Sequence, residues 1–136
     1  MPDNISKELS DSQLSRANEI LSFIPKYIEM GDYNTAVNRS YYAAFHAMKA
    51  LELLDNFDHK KHSGVIAYFR QHYIKTGIFK KEMSGMIDRL QNQREDSDYN
   101  VTIKFDLKNA LYAYEIASKF VKEINDYLFS VYDKQE

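Results

Sequence analysis

The stretch Asn34–Leu54, NTAVNRSYYAAFHAMKALELL, leaves this chain few folds to choose from. Val37, Tyr41, Ala44, Met48 and Leu51 recur at alternating four- and three-residue intervals. That rhythm lines one face of an α-helix. A second seam of Ala36, Ser40, Ala43, Ala47, Ala50 and Leu54 runs beside it. Its small side chains let a neighbouring backbone approach closely. A helix with two packing seams needs several partners, so it belongs at the centre of a bundle. Its one polar stripe is Arg39, Tyr42, His46 and Lys49.

The flanking sequence supplies the partners. Leu14, Ala17, Leu21, Ile24 and Ile28 predict a first helix capped by Asp11 or Ser12. Pro25 should kink or break it, Gly31 should end it, and Asp32 should cap the central helix. Residues 1–10 are polar and read as a flexible N-terminus ahead of a single domain over 11–133. After a loop at Asn56–Lys61, a shorter helix is expected over Ser63–Lys75, broken by Thr76-Gly77. A fourth runs from Lys80 to Asp96, ending in a turn at Ser97–Asn100. Val101–Phe105 reads as an extended connector. The last helix, Asp106–Tyr132, carries an unbroken three-four repeat from Leu107 to Val131. The predicted fold is therefore all-α, a mostly antiparallel bundle of four main helices plus one shorter helix.

Composition narrows the chemistry. The 136 residues are 44% hydrophobic and include eleven Tyr and eight Phe, enough for a real core and for half-wet aromatic interfaces. A formal net charge of −2 argues against indiscriminate nucleic-acid binding, while leaving room for a local basic patch. With no cysteine, disulfides and thiolate chemistry are excluded. No apolar run approaches the ~20 residues of a membrane span, and no signal peptide is evident at the N-terminus, so a cytoplasmic location is expected. No glycine-rich phosphate loop occurs among the four isolated glycines.

Two polar clusters can carry function. On helical periodicity alone, Arg39, Tyr42, His46 and Lys49 read as a solvated helix face. The alternative is a site for phosphate or RNA, with the Arg39 guanidinium as a donor fork and His46 titrating near neutrality. Arg94, Asp96, Asp98 and Tyr99 likewise read either as helix termination or as a site. In the second case Arg94 stabilises phosphate charge, Asp98 orients it and Tyr99 donates a phenol. His59 and His62 flank two lysines in a basic loop, with no following carboxylate at helical spacing, which disfavours a zinc site.

The run Asn38-Arg39-Ser40-Tyr41-Tyr42-Ala43-Ala44-Phe45-His46-Ala47 resembles the second-helix signature of HEPN-domain proteins. Gly31-Asp32-Tyr33-x-x-Ala36, Arg94-x-x-Ser97-Asp98-Tyr99 and the long final helix fit the same family, so the resemblance covers about Leu14 to Leu128. It implies an all-α bundle, often a homodimer. It also implies the toxin-like component of a module paired with a minimal nucleotidyltransferase antitoxin. The expected target is RNA or a nucleotide rather than DNA, without cofactor or metal. Many members are metal-independent endoribonucleases with an Arg-x4-6-His motif. Here Arg94 is followed by EDSDYN, so Asp98 and Tyr99 stand where that histidine would fall. His46 or His62 would have to reach Arg94 through the fold or across a dimer. The alternative is a non-catalytic nucleotide- or protein-binding module. Carried onto this sequence, the candidate site comprises Arg94, Asp98, Tyr99 and His46, with Arg39, Tyr42, Lys49 and His62 as binding residues.

Overall fold

A computed structural model describes residues 3–99 and 102–135, apart from the side chains of Ser97, Tyr99 and residues 133–135. Five α-helices follow one another: α1 (Asn4–Glu29), α2 (Tyr33–Leu54), α3 (His62–Phe69), α4 (Glu82–Tyr99) and α5 (Leu107–Gln135). A π-helical turn, Arg70–Ile74, continues α3. The described residues contain no strand, and none of their helices is long and apolar enough to cross a membrane.

The two seams of α2 do what their side chains allow. Ala36, Val37, Ala43, Ala47, Ala50 and Leu51 are all fully buried, and α2 touches every other helix. Against the small-residue seam, α1 comes close enough for the Ser10 hydroxyl to donate to the Ala50 carbonyl at 2.7 Å. Ser6 to Asn56, Ser10 to Ala50 and Gln13 to His46 show that α1 and α2 run antiparallel. Asn38 to Asp98 and Tyr42 to Arg94 show the same for α2 and α4. By contrast, α5 runs parallel to α2, because the connector before it returns to the start of α2. Asn34 clamps that connector: its amide donates to the Ile103 carbonyl, and its carbonyl accepts from the Phe105 N–H.

Several expectations are revised. Residues 4–10 are helical, since Asp3 accepts from the Ser6 N–H at 2.7 Å and caps α1 there, not at Asp11 or Ser12. Ser6 and Ser10 are buried against α2, which anchors the supposedly loose segment. Pro25 does not break α1, which continues to Glu29. Gly31 does end the turn, at a φ of +77° that favours glycine. No turn forms at Ser97: α4 reaches Tyr99 because Arg94 and Asp98 close an i, i+4 ion pair along it at 2.9 Å.

Candidate functional site

The cluster that matters lies where the end of α4, the first half of α2 and the first residue of α3 meet. Antiparallel packing brings Arg94 to Tyr42 and Asp98 to Asn38, one helical turn apart on each helix. The Arg94 Nη2 donates to the Tyr42 hydroxyl at 3.4 Å, a long bond, and Nε donates to Asp98 Oδ2 at 2.9 Å. The other Asp98 oxygen accepts from the Asn38 amide at 2.8 Å. The guanidinium also lies over two rings, 5.2 Å from the Tyr41 centroid and 5.6 Å from that of Tyr42. Arg39 approaches the Tyr42 ring as well, at 5.5 Å. Cation–π contacts of this kind strengthen as water is excluded, and the Arg94 side chain retains only 16% exposure.

His62 enters the same cluster. As the first residue of α3 it turns its imidazole back onto α2, stacked on Phe45 with centroids 4.0 Å apart. Its Nδ1 sits 2.8 Å from the Tyr41 hydroxyl, and its ring stands edge-on to Tyr42 at 5.8 Å. Arg94 and His62 thus share Tyr41 and Tyr42 as neighbours. Burial is the largest influence on His62 and lowers its pKa below the ordinary histidine value; the Arg94 and Lys49 charges push the same way. The imidazole is therefore neutral at pH 7. Burial pushes the Tyr41 phenol up to about 12, so it stays protonated.

The remaining candidates fall around this centre. Tyr42, Arg39, Arg94, Asp98 and His62 converge. Lys49 lies to one side, 3.2 Å from Asp58 and 6.0 Å from the Phe45 centroid. His46 faces α1 and bonds Gln13 at 2.6 Å. Burial first, then the surrounding Arg16, Arg39, Lys49 and His62, drives His46 down to about 4. The side chain of Tyr99 lies outside the described residues. Asn38, Tyr41 and Phe45 are site neighbours that sequence reasoning passed over. A phenol on the buried face of α2 was the available signal for Tyr41, because a buried hydroxyl needs a partner. Among the described residues, no group of His, Cys, Asp or Glu could hold a metal ion.

Chemically, the cluster joins two guanidiniums to a neutral imidazole and a set of aromatic faces. Guanidiniums suit phosphate oxygens, and aromatic faces suit unstacked bases. A neutral imidazole can accept a proton near neutral pH. The Asp98 carboxylate opposes anion binding and holds Arg94 in place.

Sequence and structure comparisons show what the chain as a whole resembles. The family model described as "HEPN domain" matches residues 11–127. "Putative toxin MJ0142" of Methanocaldococcus jannaschii is 36% identical over 98 residues, spanning 72% of this chain and 67% of that protein. "UPF0332 protein" of Thermotoga maritima is 35% identical, spanning 69% of this chain and 71% of its own length. A solved structure, TT1696 from Thermus thermophilus, superposes with a TM-score of 0.73 over 86% of this chain and 96% of that one. At 17% identity it shows a shared fold alone.

Proposed function

The chain belongs to the HEPN domain family, and from that premise we propose that it is the toxin-like component of a two-gene module that cleaves RNA without a metal. The observation that carries this reading is His62 sharing the tyrosines of Arg94. The family resemblance calls for an arginine and a histidine. The sequence lacks that histidine after Arg94, and in this reading His62, the first residue of α3, takes its part.

In this reading Arg94 and Arg39 hold the phosphodiester through charge-assisted bonds. His62 removes the proton from the 2′-hydroxyl, whose oxygen attacks the adjacent phosphorus. The bond from phosphorus to the 5′-oxygen breaks, leaving a 2′,3′-cyclic phosphate, and the departing 5′-oxygen takes a proton from water to become a hydroxyl. Negative charge grows on the phosphoryl oxygens during attack, where the Arg94 guanidinium is most useful. Tyr41 is a positioning residue. By accepting from Nδ1–H, it leaves Nε2 as the nitrogen that takes the proton. The proposed partners are a second copy of this chain and a minimal nucleotidyltransferase that neutralises it. A toxin-named relative supports the biological setting.

The test is single-stranded RNA incubated with purified protein in excess EDTA. Cleavage with 2′,3′-cyclic ends is expected. Arg94→Ala should lower the rate at least a hundredfold, the scale of removing one transition-state donor. Intact RNA with the wild-type protein, or equal cleavage by Arg94→Ala, contradicts the reading.

Asp98 favours a second reading. A carboxylate already bound to Arg94 competes with phosphate for it. In that case the pocket binds a nucleotide or a protein partner without cleaving anything. Saturable nucleotide binding with RNA left intact would select it.

A further inference from the structure

On another face of the bundle, a depression of about 450 Å³ is lined by Asp55, Tyr68, His72, Tyr73, Ile78 and Tyr127. It shares no residue with the Arg94 cluster. Its single carboxylate is held by two phenols. Tyr68 and Tyr73 both donate to Asp55 Oδ2, at 3.0 and 2.7 Å. The rings around it are also fixed. Tyr68 stacks on Phe57 at 4.0 Å and leans on His72 at 4.1 Å. Tyr73 and Tyr127 meet edge to face at 6.2 Å.

Two further observations set this depression apart. Six ion pairs occur among the described residues, and Asp55 takes part in none of them. This exposed carboxylate is thus without a cation at the edge of a ring-lined hollow, while Asp98 has Arg94. Second, His72 and Tyr73 sit on the π-helical turn, closed by the Lys75 N–H to the Arg70 carbonyl at 2.8 Å. Such turns are rare and frequently fall at functional sites. Glu52, one turn before Asp55 on α2, is buried and kept uncharged by burial and by the Asp55 charge. Asp55 is then the charge the hollow presents.

One carboxylate supplies too few oxygens for a calcium or magnesium ion. One carboxylate set among tyrosine and histidine rings, with an oxygen that neither phenol uses, instead matches the donor groups of an organic cation. We infer that the Asp55–Tyr68–Tyr73–Tyr127 hollow binds a guanidinium or ammonium head group, either of a free small molecule or of a side chain on a partner.

The experiment follows the tyrosine ring signals by NMR while the full chain is titrated with N-acetylarginine amide. Saturable shifts at Tyr68, Tyr73 and Tyr127 are expected, with no saturation for the neutral N-acetylcitrulline amide. Asp55→Asn, whose amide oxygen still accepts from the two phenols, should weaken binding at least fivefold. Ile78→Lys, an exposed change that brings its own ammonium to the rim, should compete and weaken it too. Arg94→Ala should leave it unchanged. A peptide carrying one internal arginine separates the sources: tighter binding than the amide marks a partner side chain, and equal binding marks a free cation. Shifts equal for arginine and citrulline amides, no saturation, or an unaltered Asp55→Asn protein would overturn the inference.

Discussion

Glu52→Met is expected to unfold at a temperature roughly 15 °C higher than the parent at pH 7.5. Glu52 is 1% exposed, and neither carboxylate oxygen has a hydrogen-bond partner among the described residues. Burial, reinforced by the nearby Asp55 charge, raises its pKa to about 9, with Lys49 opposing only in part. In the unfolded chain the same group ionises above roughly 4.3. Between those limits folding must take up a proton, so stability falls as pH rises. At pH 7.5 that amounts to about 4 kcal/mol, at 1.36 kcal/mol per pH unit crossed. Methionine fills a similar volume, carries no proton and leaves no orphaned oxygen. The gain should shrink as pH approaches 4, where the parent carboxyl is protonated in both states. Urea unfolding at pH 4.5, 6, 7.5 and 9 checks the trend. A variant weaker than the parent across the whole range would mean that Glu52 has a partner in solution.

His62→Gln is expected to lower RNA cleavage by a hundredfold or more while leaving RNA affinity within a few fold. Glutamine can still bond Tyr41 but cannot take a proton from a 2′-hydroxyl, and general-base catalysis is worth roughly a hundred- to ten-thousandfold. The pH dependence follows from the direction of the His62 shift. The imidazole must be neutral to act, and burial, Arg94 and Lys49 all disfavour its cation. The wild-type rate should therefore hold through pH 6.5 and fall only below the ordinary histidine range. Lys49→Met removes one of those charges and should move the acid limb upward. A rate that falls equally in kcat and in RNA affinity would assign His62 to binding instead.

The sequence carried the fold further than it carried the site. The two seams of α2 were legible because burial on two faces leaves a double periodicity, and both seams are buried as expected except at Leu54, which is half-buried. The start of α1 was not legible. Ser6 and Ser10 look solvent-facing by composition, and only contact with Asn56 and Ala50 makes them part of the packing. The last turn of α4 was misread because Ser-Asp-Tyr-Asn is turn chemistry in isolation. The Arg94–Asp98 pair and the Asn38 amide keep Asp98 on the helix instead. Tyr42 beside Arg94 could be suspected from two polar clusters needing a common place. The choice between His46 and His62 could not. His46 shares the polar stripe with Arg39 and Tyr42 yet turns to Gln13 on α1. His62 belongs to a loop-like run and reaches the cluster only because α3 begins there and packs on Phe45. That depends on where a chain reversal ends, which no periodicity encodes.

The claim on which the rest stands is that Arg94 acts electrostatically on His62 within one cluster. Its most direct measurement is the NMR titration of the His62 imidazole in the parent and in Arg94→Gln. The parent should titrate below the ordinary histidine range. Loss of the guanidinium charge should raise that value. A His62 titration identical in the two proteins would place the two side chains in separate surroundings, and the site described here would not exist.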